Sequence, residues 1–298
     1  MNKYFVLAGC LMTMTQALAG EKVEMTKPFA PGGEIEISNM RGYVEVQGWD
    51  KSEVSVEGEL DDKAERFIFE VKGKQAEIKV KMPSHWGRYN DGNNNGSRLI
   101  IKVPNKSDIE FEGVSSDIAA REISGDIELS SVSGDVKSER LEGRVDLRSV
   151  SGSIVSKKSS GRLELESTSG DVECVQCRGE LTAASVSGDV TVELTQSSDL
   201  ELSAISGDIE ASVDEFSRGA SVEASSVSGS VSFSFDEKVS ARFDLGTHAG
   251  GSISNKLTKD KARKAKYGPS SSLKFVKDGG DIDVEVTTVS GRIKLNKL

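Results

Sequence analysis

The stretch GRVDLRSVSGSIVSKKSSGRLELESTSGDV, residues 143–172, decides the fold. Glycines at 143, 152, 161 and 170 cut it into units of nine. Two residues after each glycine stands an aliphatic side chain: Val145, Ile154, Leu163 and Val172. Two residues further on come Leu147, Ser156, Leu165 and Cys174. Alternation of this kind is the period of a β-strand with one face buried. The small residue suits a tight corner where positive φ is needed. Each unit therefore reads as one short strand plus one turn.

Outward from this stretch the register continues at 107, 116, 125 and 134 on one side and at 179 and 188 on the other. After small insertions it resumes at 198, 207, 220 and 229. The aliphatic position persists from Ile109, Ile118, Ile127 and Val136 through Leu181, Val190, Leu200, Ile209 and Val222 to Val231. A period held this long is the signature of a repeat architecture. Its repeated positions serve stacking, which argues against a catalytic fold. The second inward position alternates in size. Phe111, Leu129, Leu147, Leu165 and Leu202 are large, and Ala120, Ser138, Ser156, Cys174 and Ala211 between them are small. Val192 against Ala183 and Phe233 against Ala224 reverse that order. Large opposite small is how a thin interior fills. The coil is thus two units long. Val150 and Val186, seven residues after their glycines, are read with the same apolar pattern. The expected fold is all-β: a parallel β-solenoid of 18-residue coils, each built of two nine-residue strand-turn units, with an N-terminal β-rich cap. Seven coils stacked about 4.8 Å apart make a rod core roughly 30 Å long.

Residues 1–19 read as a signal peptide cleaved after Ala19, with Lys3, an apolar run from Tyr4 to Met14, and small residues at 17 and 19. Leu7-Ala8-Gly9-Cys10 offers a competing lipobox that would make a lipoprotein through Cys10. The expected localisation is export, to the periplasm or the cell surface. No later stretch has 18 consecutive apolar residues, so no transmembrane segment is expected. The net charge of −10 becomes −11 once Lys3 is removed. That balance disfavours nucleic acid as a partner and unaided binding to anionic lipid.

Residues 20–105 form the cap, with strands over 33–37, 42–46, 54–56 and 98–103, a helical turn or short helix over Asp61–Arg66, and a hairpin around Lys72-Gly73-Lys74. Residues 106–298 form the solenoid, with a basic excursion at 240–272. Inside that excursion lies KLTKDKARKAK, residues 256–266, read as a protruding loop or short helix. Val289-Ser290-Gly291-Arg292-Ile293 echoes the repeat and closes the rod.

Asn39-Met40-Arg41-Gly42-Tyr43-Val44-Glu45-Val46-Gln47-Gly48-Trp49-Asp50, followed by Val54-Ser55-Val56, resembles the opening of the bacterial "putative adhesin" family of unknown function. Leu99-Ile100-Ile101-Lys102-Val103-Pro104, leading into Ser-Gly-Asp repeats, is similar to the remainder of that family. The resemblance spans residues 30–298 and implies an extracytoplasmic β-solenoid without catalytic residues. Fold alone does not fix function.

Candidate sites are few. Asp135, Ser153, Asp171, Asp189, Asp208 and Ser230 should form one column, which either recruits calcium or simply solvates the corners. Metal and cofactor are not expected. Cys174 and Cys177 sit where the chain turns and can close a small disulfide. Trp86 and Tyr89 suit stacking on a sugar ring. Lys259, Lys261, Arg263 and Lys264 are candidate ligand contacts toward an acidic envelope polymer, or a protein partner. Neither His85 nor His248 sits in a catalytic setting, so the protein is read as no enzyme. The leading reading is an exported, non-enzymatic envelope solenoid acting in binding or scaffolding. The alternatives are a carbohydrate-active envelope enzyme on a β-helix and a divalent-cation-stabilised scaffold.

Overall fold

The computed structural model describes residues 20–83 and 96–298. Cys10, Ala19, Trp86 and Tyr89 fall outside them. The described residues form strands and turns and no α-helix. The N-terminal strands are β1 (Lys22–Pro28), β2 (Glu34–Trp49), β3 (Glu53–Glu59), β4 (Arg66–Lys72), β5 (Gln75–Lys81) and β6 (Ser97–Pro104). The repeats supply β7 (Asp108–Arg121), β8 (Ser124–Ser131), β9 (Val136–Glu139), β10 (Glu142–Ser149), β11 (Ile154–Lys157), β12 (Ser160–Ser167), β13 (Val172–Ser185), β14 (Val190–Ala204), β15 (Ile209–Ser226) and β16 (Val231–Phe235). The last part holds β17 (Ala241–Thr247), β18 (Ser252–Asn255), β19 (Arg263–Lys264), β20 (Ser271–Lys277), β21 (Ile282–Thr288) and β22 (Arg292–Lys297).

Long strands stack parallel on long strands: Gly125 pairs with Gly143, Gly143 with Gly161, and Gly161 with Gly179. Short strands do likewise, Val136 with Ile154 and Ile154 with Val172. Each partner lies 18 residues along, so identical positions of successive repeats fall into columns. The result is a solenoid-like all-β stack. Val145, Leu163, Leu181 and Leu200 pair in succession and are at most 2% exposed. The size reversals at Ala183/Val192 and Ala224/Phe233 keep large opposite small with the sides exchanged, and all four residues are buried.

The offset-seven valines depart from expectation. Val150 is 48% and Val186 41% exposed, whereas Ile123 and Leu141, at the same offset in the alternate units, are buried. The reason is alternation. Ser149 and Ser185 take the inward place at the end of the long strand, so the next residue points out.

The corner that follows is held by side chains. Ser149 Oγ accepts from Gly152 N–H at 2.9 Å and donates to the Gly134 carbonyl of the preceding coil at 3.0 Å. Ser131, Ser167 and Ser185 repeat both bonds. The glycines of these serine-held corners, Gly134, Gly152, Gly170 and Gly188, do not supply positive φ. Left-handed conformations occur instead at Gly143, Gly161 and Gly179, and at Glu122, Arg140, Lys158 and Gln176, one of each kind per coil. Gly152 is required by crowding: a Cβ there would sit 2.0 Å from the Gly134 carbonyl oxygen.

Both ends deviate from a simple winding. β2 stacks parallel on β7, Glu34 with Asp108 and Gly42 with Ser116, so parallel stacking already begins within residues 20–105. β4 and β5 form the expected hairpin. Asp61–Arg66 is a turn rather than a helical turn, because the Asp61 carboxylate caps Lys63 N–H and pairs with Arg41. That ion pair is buried, with Arg41 Nη2 2.6 Å from Asp61 Oδ1. At the C-terminal end, β21 and β22 pair with β15 and β16, and β17 and β18 pair onto their far sides. Residues 281–297 therefore occupy a level inside the stack and do not close it. Residues 240–272 are likewise no single excursion, since β17 and β18 form a level of their own. Phe233, Phe235, Phe243 and Phe275 pack ring on ring here, with centroids 4.6–5.5 Å apart. Among the described residues no helix is long and apolar enough to cross a membrane.

Candidate anion-binding surface

The basic run leaves the stack at Lys256, whose N–H donates to the Leu295 carbonyl. Asn255 organises the turn. Its Oδ1 accepts from Leu257 N–H at 2.9 Å, and its Nδ2 donates to Thr258 Oγ1 at 2.9 Å and the Asp260 carbonyl at 3.2 Å. Leu257 is buried and Ala262 packs against the core. β19 then pairs antiparallel with β20, Arg263 with Ser272 and Lys264 with Ser271. The segment is thus an ordered loop with one short strand pairing, and no helix.

Lys256, Lys259, Lys261, Arg263, Lys264 and Lys266 are all exposed, and among the described residues none forms an ion pair. The lone acid, Asp260, accepts from Thr258 Oγ1 at 2.8 Å. Tyr267, 85% exposed, lies under Lys266 with 5.4 Å from Nζ to ring centroid. A recess of about 290 Å³ between β17 and β19–β20 is lined by Thr247, His248, Arg263, Lys264 and Ser271. Along the repeats several arginines are paired with carboxylates. Arg140 meets Glu122 at 2.7 Å, Arg144 meets Asp126 at 2.9 Å, and Arg162 meets Glu180 at 2.9 Å. The four sequence-derived contacts, Lys259, Lys261, Arg263 and Lys264, therefore lie exposed on one ordered loop of a chain whose net charge is −10.

The aspartate column has a different task. Asp135 Oδ1 accepts from Ser153 N–H at 3.1 Å, Asp171 Oδ1 from Asp189 N–H at 2.9 Å, and Asp208 Oδ1 from Ser230 N–H at 2.7 Å. Each carboxylate ties down the backbone of the next coil rather than its own. The close carboxylate group among the described residues lies elsewhere, at Glu34, Glu36 and Glu110. Lys79 approaches Glu36 at 3.3 Å, and burial followed by the charge of Glu36 raises the Glu110 carboxyl pKa.

Cys174 and Cys177 are both buried, with Gln176 in the left-handed region turning the chain between them. Their Cα atoms are 6.1 Å apart, within the range of about 4.4–6.8 Å that a disulfide spans. They occupy the columns where the coil below carries Ser156 and Ser159. Trp49 sits at the end of β2, its Nε1 donating to the Glu53 carbonyl at 2.9 Å and its ring flanked by Lys51 and Lys102.

Sequence reasoning missed a second charged feature. Arg148 reaches Asp146 at 2.7 Å, Glu164 at 3.2 Å, Glu166 at 3.5 Å and Glu128 at 3.6 Å. Burial pushes the Asp146 carboxyl up to about 6, with Arg148 pulling it down and Glu164, Glu128 and Glu166 adding to the rise. A signal existed: Arg148 stands out in a row that otherwise holds serine, alanine, threonine and acids.

A family model described as Toastrack DUF4097 matches residues 33–261. The chain belongs to this family. The match supports the family-level resemblance. No curated protein matches the chain. Among solved structures, a "putative adhesin" from Bacteroides fragilis is similar at 13% identity, covering 92% of this chain and 97% of that one, with a TM-score of 0.47. Another "putative adhesin", from Parabacteroides merdae, is 8% identical, covers 94% and 97%, and has a TM-score of 0.39. A "putative lipid binding protein" from Parabacteroides distasonis is 13% identical, covers 94% and 97%, and also has a TM-score of 0.39. The Toastrack assignment leaves the ligand open.

Proposed function

We propose that this Toastrack protein is exported, non-enzymatic and works by surface contact, binding an anionic polymer of the cell envelope through residues 256–266. In this reading residues 1–19 are removed and 20–105 close the N-terminal end. Residues 106–298 form a rod of 18-residue coils, each of two nine-residue units, stiffened by a Cys174–Cys177 disulfide. The observation that carries the proposal is the basic run. Six exposed cations stand without ion pairs on a fixed loop, while the whole chain carries a net charge of −10. Phosphate, sulfate or carboxylate groups along a polymer would meet Lys259, Lys261, Arg263 and Lys264 together. An exposed cation gains little from one partner, so affinity must come from several contacts at once and must fall with salt. The test deletes 256–266 in the mature chain and measures retention on isolated envelope material at low salt. Loss of retention with an unchanged circular dichroism spectrum is expected. Retention equal to wild type would reduce the run to a solvated loop.

A further inference from the structure

The exposed valines that follow the inward serines form one line. Val114, Val132, Val150, Val186, Ile205 and Val227 are each 39–49% exposed, and Met40 and Val289 extend the line at its two ends. These eight are most of the thirteen large hydrophobic residues that stand exposed among the described ones. Scattered apolar residues need no account, but a contiguous line does. Between Met40 and Val289 Thr168 is the polar member of the row, and His248 follows Val289 on the next level.

The line is rigidly spaced. Ser133 N–H donates to the Val114 carbonyl, Ser151 to Val132, Ser169 to Val150 and Ser187 to Thr168, so the backbone is paired from coil to coil through the corner itself. One apolar knob therefore appears at each coil except that of Thr168, with successive coils about 4.8 Å apart. At roughly 70 Å² per side chain the ridge offers on the order of 550 Å², against about 800 Å² that each partner contributes to a standard interface. The exposed serine row beside it, Ser133 to Ser228, supplies an uncharged margin.

We propose that this ridge is the dimer interface of the protein, covered by the same ridge of a second copy with the two rods parallel. Two features select that occupant. Only a body with the same coil spacing meets every knob in register along the whole row, and a second copy has it by construction. The flanks then fix the direction. On one side of the ridge runs the aspartate row of Asp135, Asp171, Asp189 and Asp208. On the other side, two residues before each member of the line, stand Glu112, Ser130, Arg148, Glu166, Ala184, Ser203 and Ser225. Antiparallel rods would set the two aspartate rows face to face. A two-fold axis along the rods sets each aspartate row against the other copy's flank, where four neutral residues and Arg148 outnumber Glu112 and Glu166, and not against a second aspartate row.

The test is sedimentation velocity on the mature chain up to about 200 µM, the weak end of specific association. A dimer is expected, weakened about a hundredfold or more by Val132→Thr, Val150→Thr, Val186→Thr and Val227→Thr together, since each removes a methyl from the contact twice. Thr168 shows that the column accepts threonine, so this variant separates lost contact from lost folding. Val132→Cys and Val227→Cys, tested singly, should each oxidise to a covalent homodimer. Cross-linking only when the two cysteine variants are mixed would overturn the parallel arrangement. A wild-type monomer throughout, or a fourfold variant as dimeric as wild type, would overturn the proposal, leaving a glycan, a lipid or another protein as occupant.

Discussion

Replacing Gly152 by alanine tests the stacking at its tightest point. The added Cβ would lie 2.0 Å from the Gly134 oxygen, 2.4 Å from its carbonyl carbon and 2.9 Å from Asp135 N. All three are backbone atoms, so no side chain can move aside. Relief requires the two coils to separate locally by more than an ångström, roughly the difference from ordinary van der Waals contact. That opening stretches the bonds clustered at this corner: Ser149 Oγ to the Gly134 carbonyl, Ser153 N–H to Asp135 Oδ1, Val150 N–H to the Ser131 carbonyl and Ser151 N–H to the Val132 carbonyl. Losing three or four of these at about 1 kcal/mol each gives a cost of roughly 3–4 kcal/mol. The assay is urea unfolding of the mature chain followed by far-ultraviolet circular dichroism, with Ser151→Ala as control. Ser151 is the exposed neighbour of the same corner, and its loss should cost less than about 0.5 kcal/mol. A Gly152→Ala protein as stable as the control would refute the direct coil-on-coil contact.

Three further outcomes follow from the same geometry. Ser149→Ala should destabilise by about 1–3 kcal/mol, because it leaves a buried N–H and a buried carbonyl unpaired; Ala204→Ser, which restores the hydroxyl missing from its own coil, should raise the melting temperature. Asp61→Ala should cost about 3–5 kcal/mol in chemical unfolding, since it removes the carboxylate that pairs with the buried Arg41 and caps Lys63 N–H. Asp146→Asn should stabilise at pH 7 by no more than about 1–2 kcal/mol and change nothing below pH 4. The sign follows from a carboxyl whose folded pKa, about 6, lies above its unfolded value. The folded state then binds the extra proton, and stability is lost as pH rises from 4 to 6. Melting temperatures across that range check it, and a Tm difference independent of pH would refute the assignment.

The repeat frame was legible because its cause is local and periodic. Val145, Leu163 and Leu181 recur where a two-residue alternation meets an 18-residue coil, and no long-range knowledge is needed to read that. The offset-seven valines misled because hydrophobicity alone cannot distinguish an inward corner residue, such as Leu141, from an outward one, such as Val150. What decides is the serine before it, whose hydroxyl is consumed inside. The corner glycines were legible as glycines but not for their reason, since crowding by the coil below is invisible in one dimension. The level formed by residues 281–297 was hidden for the same cause: nothing near Ile293 in the chain says that Val231 and Ile253 flank it. At the candidate surface the charge of Lys259 to Lys264 was plain from sequence. Its fixing by Asn255 and by the pairing of Arg263 with Ser272 was not.

The proposed function turns most directly on the salt dependence of binding to a defined polyanion. Titration of the mature chain with dextran sulfate at increasing salt should give an apparent affinity that falls steeply on a logarithmic plot, reflecting several released counterions. The variant combining Lys259→Glu, Lys261→Glu, Arg263→Glu and Lys264→Glu should show no binding at any salt while keeping its far-ultraviolet spectrum. Equal affinity and equal salt slope for the two proteins would contradict the account.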